Sequence, residues 1–213
     1  MRLRFLALAA VASLAAAPLS AQTVEFTFLN GGSVTSSGYY VGPYNGLMAG
    51  DPIELNCVDF LHHVTNGETW NAYLTAVGDV DSPSSHARFD VSLQVDKPLY
   101  QQAAWLAAQY PGKSNAQIAD IQKTIWNLFA PSAPDASSNS WLLDAQTNYA
   151  SMNYAGWYIV TDARSFSNTP DASAQEFLIH VTPTPEPASL VLLGTGLMGV
   201  FGAVRRKRHL AQG

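Results

Sequence analysis

Ser114-Asn115-Ala116-Gln117-Ile118-Ala119-Asp120-Ile121-Gln122-Lys123-Thr124-Ile125-Trp126-Asn127-Leu128-Phe129 is the stretch that decides the fold class. Ser114 followed three residues later by Gln117 matches a capping box, in which each side chain satisfies the other's backbone N–H. Ile118, Ile121, Ile125 and Leu128 then recur at helical spacing, and Ala130-Pro131 ends the run. Helical signals continue on both sides. Leu99 to Tyr110 is rich in Ala, Gln and Leu and stops at Pro111-Gly112, and Ser138 to Tyr149 reads as a weaker third helix. Farther out the pattern changes to β-branched and aromatic runs. Val24 to Leu29, Ser33 to Val41, Ile53 to Phe60 and Trp70 to Val77 precede the helices. Gly156 to Val160 and Gln175 to Val181 follow them. Between the second and third runs, Gly42-Pro43, Asn45-Gly46 and Gly50-Asp51-Pro52 read as loop, and Asn66-Gly67 reads as a turn. Strands, helices, then strands predict an α+β domain: a β-rich framework with a helical insert.

The ends of the 213-residue chain read differently from its middle. Arg2 and Arg4 precede an apolar run from Phe5 to Ala17 that is too short to span a bilayer, and Ala21 lies among small residues. Residues 1–21 are therefore expected to be a signal peptide, although Leu19 is bulkier than is usual two positions before cleavage. Residues 22–181 have the size of one ordinary domain. They hold five of the eleven basic residues and fifteen of the sixteen acidic ones, a formal charge of −10. Such a surface repels phosphate backbones, which sets nucleic acid aside as a partner. Cys57 is the single cysteine, so no internal disulfide forms, and it is remote from any lipoprotein cleavage site.

The C-terminus opens with a stiff linker, Thr182 to Pro187, that ends in Pro185-Glu186-Pro187. Ala188 to Val204 carries no charge and is punctuated by Gly194, Gly196, Gly199 and Gly202. About 17 apolar residues is near the lower limit for crossing hydrocarbon, which predicts a transmembrane helix over 188–204. Arg205-Arg206-Lys207-Arg208 follows at once, so 205–213 is expected to stay cytoplasmic, with the domain facing outward. In order and spacing this tail resembles a PEP-CTERM sorting signal. The resemblance implies a bacterium of Gram-negative type that makes extracellular polysaccharide, and an exosortase as processing partner. It also implies membrane anchoring before processing, and the cell surface or matrix as destination. Such a tail is an address and not an activity.

Chemistry is concentrated in two segments. Leu55-Asn56-Cys57-Val58-Asp59-Phe60 places Cys57 in a candidate strand. On the quoted helix, Gln122 shares a face with Ile118, Ile125, Trp126 and Phe129, so it is expected to point into the domain. A buried thiolate beside a carboxamide can attack the amide carbon and expel ammonia, leaving an internal thioester. That bond must be shielded from water, and Phe60, Ile125 and Trp126 are the expected walls. Asp59, His62 and His63 are all candidates to move protons, and the residues do not select among them. The two segments resemble the paired motifs of bacterial thioester domains in surface adhesins, with Ala103-Ala104-Trp105-Leu106 and Tyr110-Pro111 similar to the helix that precedes the glutamine motif. This core departs at Ile121, where Thr is usual, and at Thr124, where Ala is usual. The resemblance implies Cys57 and Gln122 as bond partners, with Asp59 and Trp126 supporting them. It further implies covalent, single-use capture of an amine or hydroxyl on a surface or matrix polymer, rather than enzymatic turnover.

Other readings stand beside this one. A non-covalent binding or structural protein of an exopolysaccharide matrix needs Cys57 only as a packed core residue. His62-His63 near Cys57 suggests a cysteine hydrolase, but a catalytic cysteine usually draws its histidine from elsewhere in the fold. Asp79 and Asp81 lie in Gly78-Asp79-Val80-Asp81-Ser82, which lacks the ligand count of a calcium loop. Tyr39, Tyr40, Tyr44, Trp70 and Tyr73 form either a sugar-stacking face or part of the core. No metal, cofactor or catalytic residue is expected.

Overall fold

The computed structural model describes residues 23–90, 96–167 and 173–182. The expected signal peptide, the PEP motif, the transmembrane helix over 188–204 and the basic end over 205–213 lie outside these residues. Among the described residues no helix is long and apolar enough to cross a membrane.

The β-rich framework with a helical insert is the observed architecture. The described residues form eight strands: β1 Val24–Asn30, β2 Thr35–Ser36, β3 Tyr39–Tyr40, β4 Tyr44–Met48, β5 Asp51–Cys57, β6 Thr69–Ala76, β7 Trp157–Asp162 and β8 Phe177–His180. Three helices, α1 Asp96–Ala107, α2 Asn115–Phe129 and α3 Ser140–Asn148, are inserted between β6 and β7. Six strands close into a barrel in the order β1-β4-β5-β8-β7-β6, and every adjacent pair is antiparallel. Closure leaves no free sheet edge in this barrel.

Two expectations change. The segment read as loop, 42–52, contains β4 and the start of β5. The run from Ser33 to Val41 makes only the short β2–β3 hairpin. Its two-residue turn is Ser37-Gly38, with φ of 54° and 84°. Positive φ at both central residues belongs to the turns whose twist suits a tight hairpin.

Strand alternation divides the interior in two. Phe26, Phe28, Tyr44, Leu55, Cys57, Trp70, Ala72, Val160, Phe177 and Ile179 form a cluster to which all six barrel strands contribute. The intervening Trp157, Ile159 and Leu178 turn outward and pack with Tyr100, Leu106, Tyr110, Ile121 and Ile125 beneath the helices. Helix α2 contributes to both, with Ala119 and Trp126 in the first cluster and Ile121 and Ile125 in the second. Its capping box is present, with Ser114 accepting from the Gln117 backbone and Gln117 reaching back to Ser114. Gln122 lies one turn from both Ala119 and Trp126, so it faces the end of the barrel.

Candidate functional site

Cys57 is the last residue of β5, paired with Phe177 of β8, and it is fully buried. Its thiol donates to the Asp59 carbonyl oxygen at 3.3 Å. Burial pushes the thiol pKa up to about 12, a rise that the Trp126 indole partly opposes. At neutral pH the group is therefore a thiol rather than a standing thiolate, and its proton lies toward a backbone carbonyl. His62 and His63 are the basis of the hydrolase reading: His62 Nδ1 faces Asp59 Oδ2 at 2.8 Å, and the exposed His63 lines a surface pocket.

Gln122 is brought to the cysteine from 65 residues away. Its Nε2 donates to the Cys57 carbonyl oxygen at 2.7 Å, and its Oε1 accepts from the Tyr110 hydroxyl at 2.9 Å. Both Cys57 and Gln122 have zero exposure, and Tyr110 is also buried. Burial raises the Tyr110 phenol well above its ordinary value, with proximity to Cys57 adding to the rise, so the hydroxyl stays a donor at physiological pH. Tyr110 follows α1 immediately before Pro111-Gly112, and the sequence reading assigned it no chemical role. A hydroxyl-bearing aromatic at an apolar helix stop was the available signal.

The expected walls are placed unequally. Phe60 and Trp126 rings lie 5.2 Å apart, and Tyr39 packs edge-on to both at 5.2 and 6.1 Å. Trp126 belongs to the same core cluster as Cys57, whereas Ile125 packs in the cluster beneath the helices.

Asp59 is buried and holds the turn that leaves β5. Its Oδ1 accepts from the backbone N–H groups of Leu61 and His62 at 3.0 and 3.2 Å, and its Oδ2 pairs with Arg88. The other arm of the Arg88 guanidinium donates at 2.7 Å to Ser165 Oγ, Ser173 Oγ and the Ala174 carbonyl. A second buried carboxylate lies behind it. Glu176 accepts from Tyr100, from Thr161 Oγ1 at 2.5 Å and from the Arg88 backbone N–H at 2.7 Å.

Burial lifts Glu176 to about 7 despite these donors. A carboxyl raised in the folded state binds its proton more tightly there than in the unfolded chain. Its stabilising contribution is therefore complete below the unfolded value near 4.5 and is lost as pH rises toward 7. Stability is expected to fall by about 2–3 kcal/mol more between pH 5 and 8 in the native chain than in Glu176→Gln, as read from urea midpoints at both pH values. Equal pH dependence in the two proteins would refute this.

The weaker candidates separate. Trp70 stacks inside the barrel on Phe26 and Phe177, and Tyr73 stacks on His86 at 4.0 Å. Only Tyr39, Tyr40 and Tyr44 of the five aromatics share one surface pocket. Asp81 pairs with Lys97 at 3.1 Å, and among the described residues no group of three or more His, Cys, Asp or Glu side chains is arranged to hold a metal ion.

Comparison with known families gives a match over the tail. The model of the PEP-CTERM protein-sorting motif matches residues 183–207, which include Pro185, Glu186, Pro187, Arg205, Arg206 and Lys207; Arg208 falls one position beyond. That motif marks an exported, membrane-transiting protein sorted by an exosortase. No curated protein and no solved structure matches the chain. The match speaks for the tail, while the likeness of the core to thioester domains rests on its motif residues alone.

Proposed function

We propose that the exported domain carries an internal thioester between Cys57 Sγ and Gln122 Cδ, and that it uses this bond once, to attach the protein covalently to a surface or matrix polymer bearing amines or hydroxyls. One observation carries the reading: the Gln122 carboxamide is fully buried and held at both ends, by the Cys57 carbonyl and the Tyr110 hydroxyl. In formation, Sγ attacks Cδ and negative charge develops on Oε1, where the Tyr110 hydroxyl already donates. The C–N bond then breaks, and Nε2 leaves as ammonia with the thiol proton. In capture, a target amine or hydroxyl attacks Cδ and the C–S bond breaks. The proton returns to Cys57, and an amide or ester joins Gln122 to the target. Zero exposure of both partners protects the bond from hydrolysis before capture. The tail supplies the address, and Asp59 and Trp126 support the site by fixing the turn after Cys57 and packing beside the sulfur.

The test is intact mass spectrometry of the chain purified with its tail in mild detergent. The expected mass is one ammonia below the sequence mass, with methylamine added back on incubation. Cys57→Ala should lose neither ammonia nor react. An unmodified mass with one titratable thiol would reduce the pair to a core hydrogen bond, and the protein to a non-covalent matrix component.

A further inference from the structure

A pocket of about 200 Å³ opens on the surface and shares wall residues with the core around this site. Its aromatic walls include Tyr39, Tyr40, Phe60 and Trp126, and His63 and Asn66 supply polar edges. Trp126 and Tyr44, which also lines the pocket, both belong to the core cluster that contains Cys57. The pocket is therefore separated from the sulfur by walls the two share.

Three observations define what fits. No lining residue carries a carboxylate, ammonium or guanidinium, although the domain as a whole is strongly acidic. An amine or cationic side chain would find no carboxylate in the lining, and a uronate or phosphate would meet only the His63 imidazole there, with Lys123 outside the lining on Ser37. The volume is below the ~300–1,000 Å³ of sites for drug-sized ligands, which limits the occupant to about one ring. The aromatic platform is also built rather than incidental. Tyr40 is 54% exposed, yet its ring lies so close over Gly31 that a Cβ there would meet Tyr40 Cγ at 2.4 Å. The tight Ser37-Gly38 turn sets Tyr39 and Tyr40 at the rim. Flat apolar ring faces combined with uncharged hydrogen-bonding edges suit a ligand with one C–H face and a belt of hydroxyls.

We propose that this pocket receives a neutral sugar ring of a polysaccharide and that the group captured is one of its hydroxyls. The inference rests on the thioester reading and sharpens its target. Because neither Cys57 nor Gln122 lines the pocket, capture requires the shared Tyr44–Trp126 wall to move aside; the sugar oxygen then attacks Gln122 Cδ, the C–S bond breaks, the hydroxyl proton passes to Cys57 Sγ, and the product is an ester.

The probes are neutral hexa-oligosaccharides of glucose and galactose, with a glucosamine and a galacturonate oligomer as charged counterparts. Calorimetry on Cys57→Ala is expected to show saturable binding of a neutral oligomer, weakened at least tenfold by adding Tyr40→Ala or Asn66→Ala, both exposed positions. The native chain should gain the mass of that oligomer as a hydroxylamine-sensitive adduct. Absence of binding by every neutral oligomer, unchanged affinity in both pocket variants, or preference for a charged oligomer overturns the proposal. Methylamine uptake without a sugar adduct overturns it too, while leaving the thioester in place. A chain that never loses ammonia refutes the bond itself and with it the capture, an outcome the mass of the untreated protein identifies.

Discussion

Arg88→Ala is expected to lower the stability of the domain by about 3–5 kcal/mol, the range observed when one partner is removed from a buried ion pair. The Arg88 side chain is 11% exposed, and the Asp59 carboxylate it faces is fully buried. Without the guanidinium, Asp59 keeps two backbone N–H donors and His62 but loses its permanent counter-charge. Ser165, Ser173 and the Ala174 carbonyl lose a shared donor at the same moment, which frees the segment leading into β8. Domains of this size have roughly 5–15 kcal/mol in total, so the urea midpoint should fall by a large fraction. Arg88→Lys should recover little, because an ammonium cannot span the four acceptors that the planar guanidinium reaches together. A midpoint within the error of the native chain would show that the network contributes no net stability. The same loss bears on the site, since the turn Asp59 holds follows Cys57 directly and its carbonyl accepts the thiol proton.

Tyr110→Phe is expected to slow formation of the Cys57–Gln122 bond by about 10²–10³-fold, the usual effect of deleting one donor to a developing oxyanion. The hydroxyl stands 2.9 Å from Gln122 Oε1 and burial holds it protonated, so it is preorganised for charge that appears only as sulfur adds to the carbon. Its loss also leaves a buried carbonyl oxygen without a donor, which costs about 1–3 kcal/mol of stability. The two effects are separable. Ammonia loss followed by mass spectrometry after refolding reports the rate, and urea unfolding reports the stability. Bond formation at the native rate in a folded Tyr110→Phe protein would remove Tyr110 from the chemistry and leave it a packing residue.

Much of the architecture was legible because it is encoded locally. β-Branched and aromatic runs mark β1, β6, β7 and β8 within a few residues, and the Ser114–Gln117 capping box marks the start of α2. β4 was hidden because Asn45-Gly46 looks like a turn. In the barrel, Gly46 pairs with Phe28 and Ile53, and a Cβ there would meet Leu55 Cδ1 at 2.6 Å and the Thr27 carbonyl at 2.9 Å. This glycine lets strands approach rather than turn, and only the packed neighbours distinguish those uses. The site divides in the same way. Cys57 could be picked out as the single cysteine and Gln122 as a polar residue on an apolar helix face, while their pairing rests on the resemblance to thioester domains. Tyr110 and Arg88 could not, since their roles depend on which distant groups they meet.

The sequence by itself determined the order of strands, helices and strands, the acidic domain with one unpaired cysteine, and the C-terminal address. These follow from composition and from periodicities a few residues long. Tertiary structure alone decided that the strands close with β8 between β5 and β7, that a glutamine 65 residues from the cysteine reaches its carbonyl, and that Arg88 ties Asp59 to the segment before β8. The physical reason is that burial and hydrogen bonding in this core are satisfied across long chain separations, so each group's environment is a property of the closed barrel and not of its neighbours in sequence.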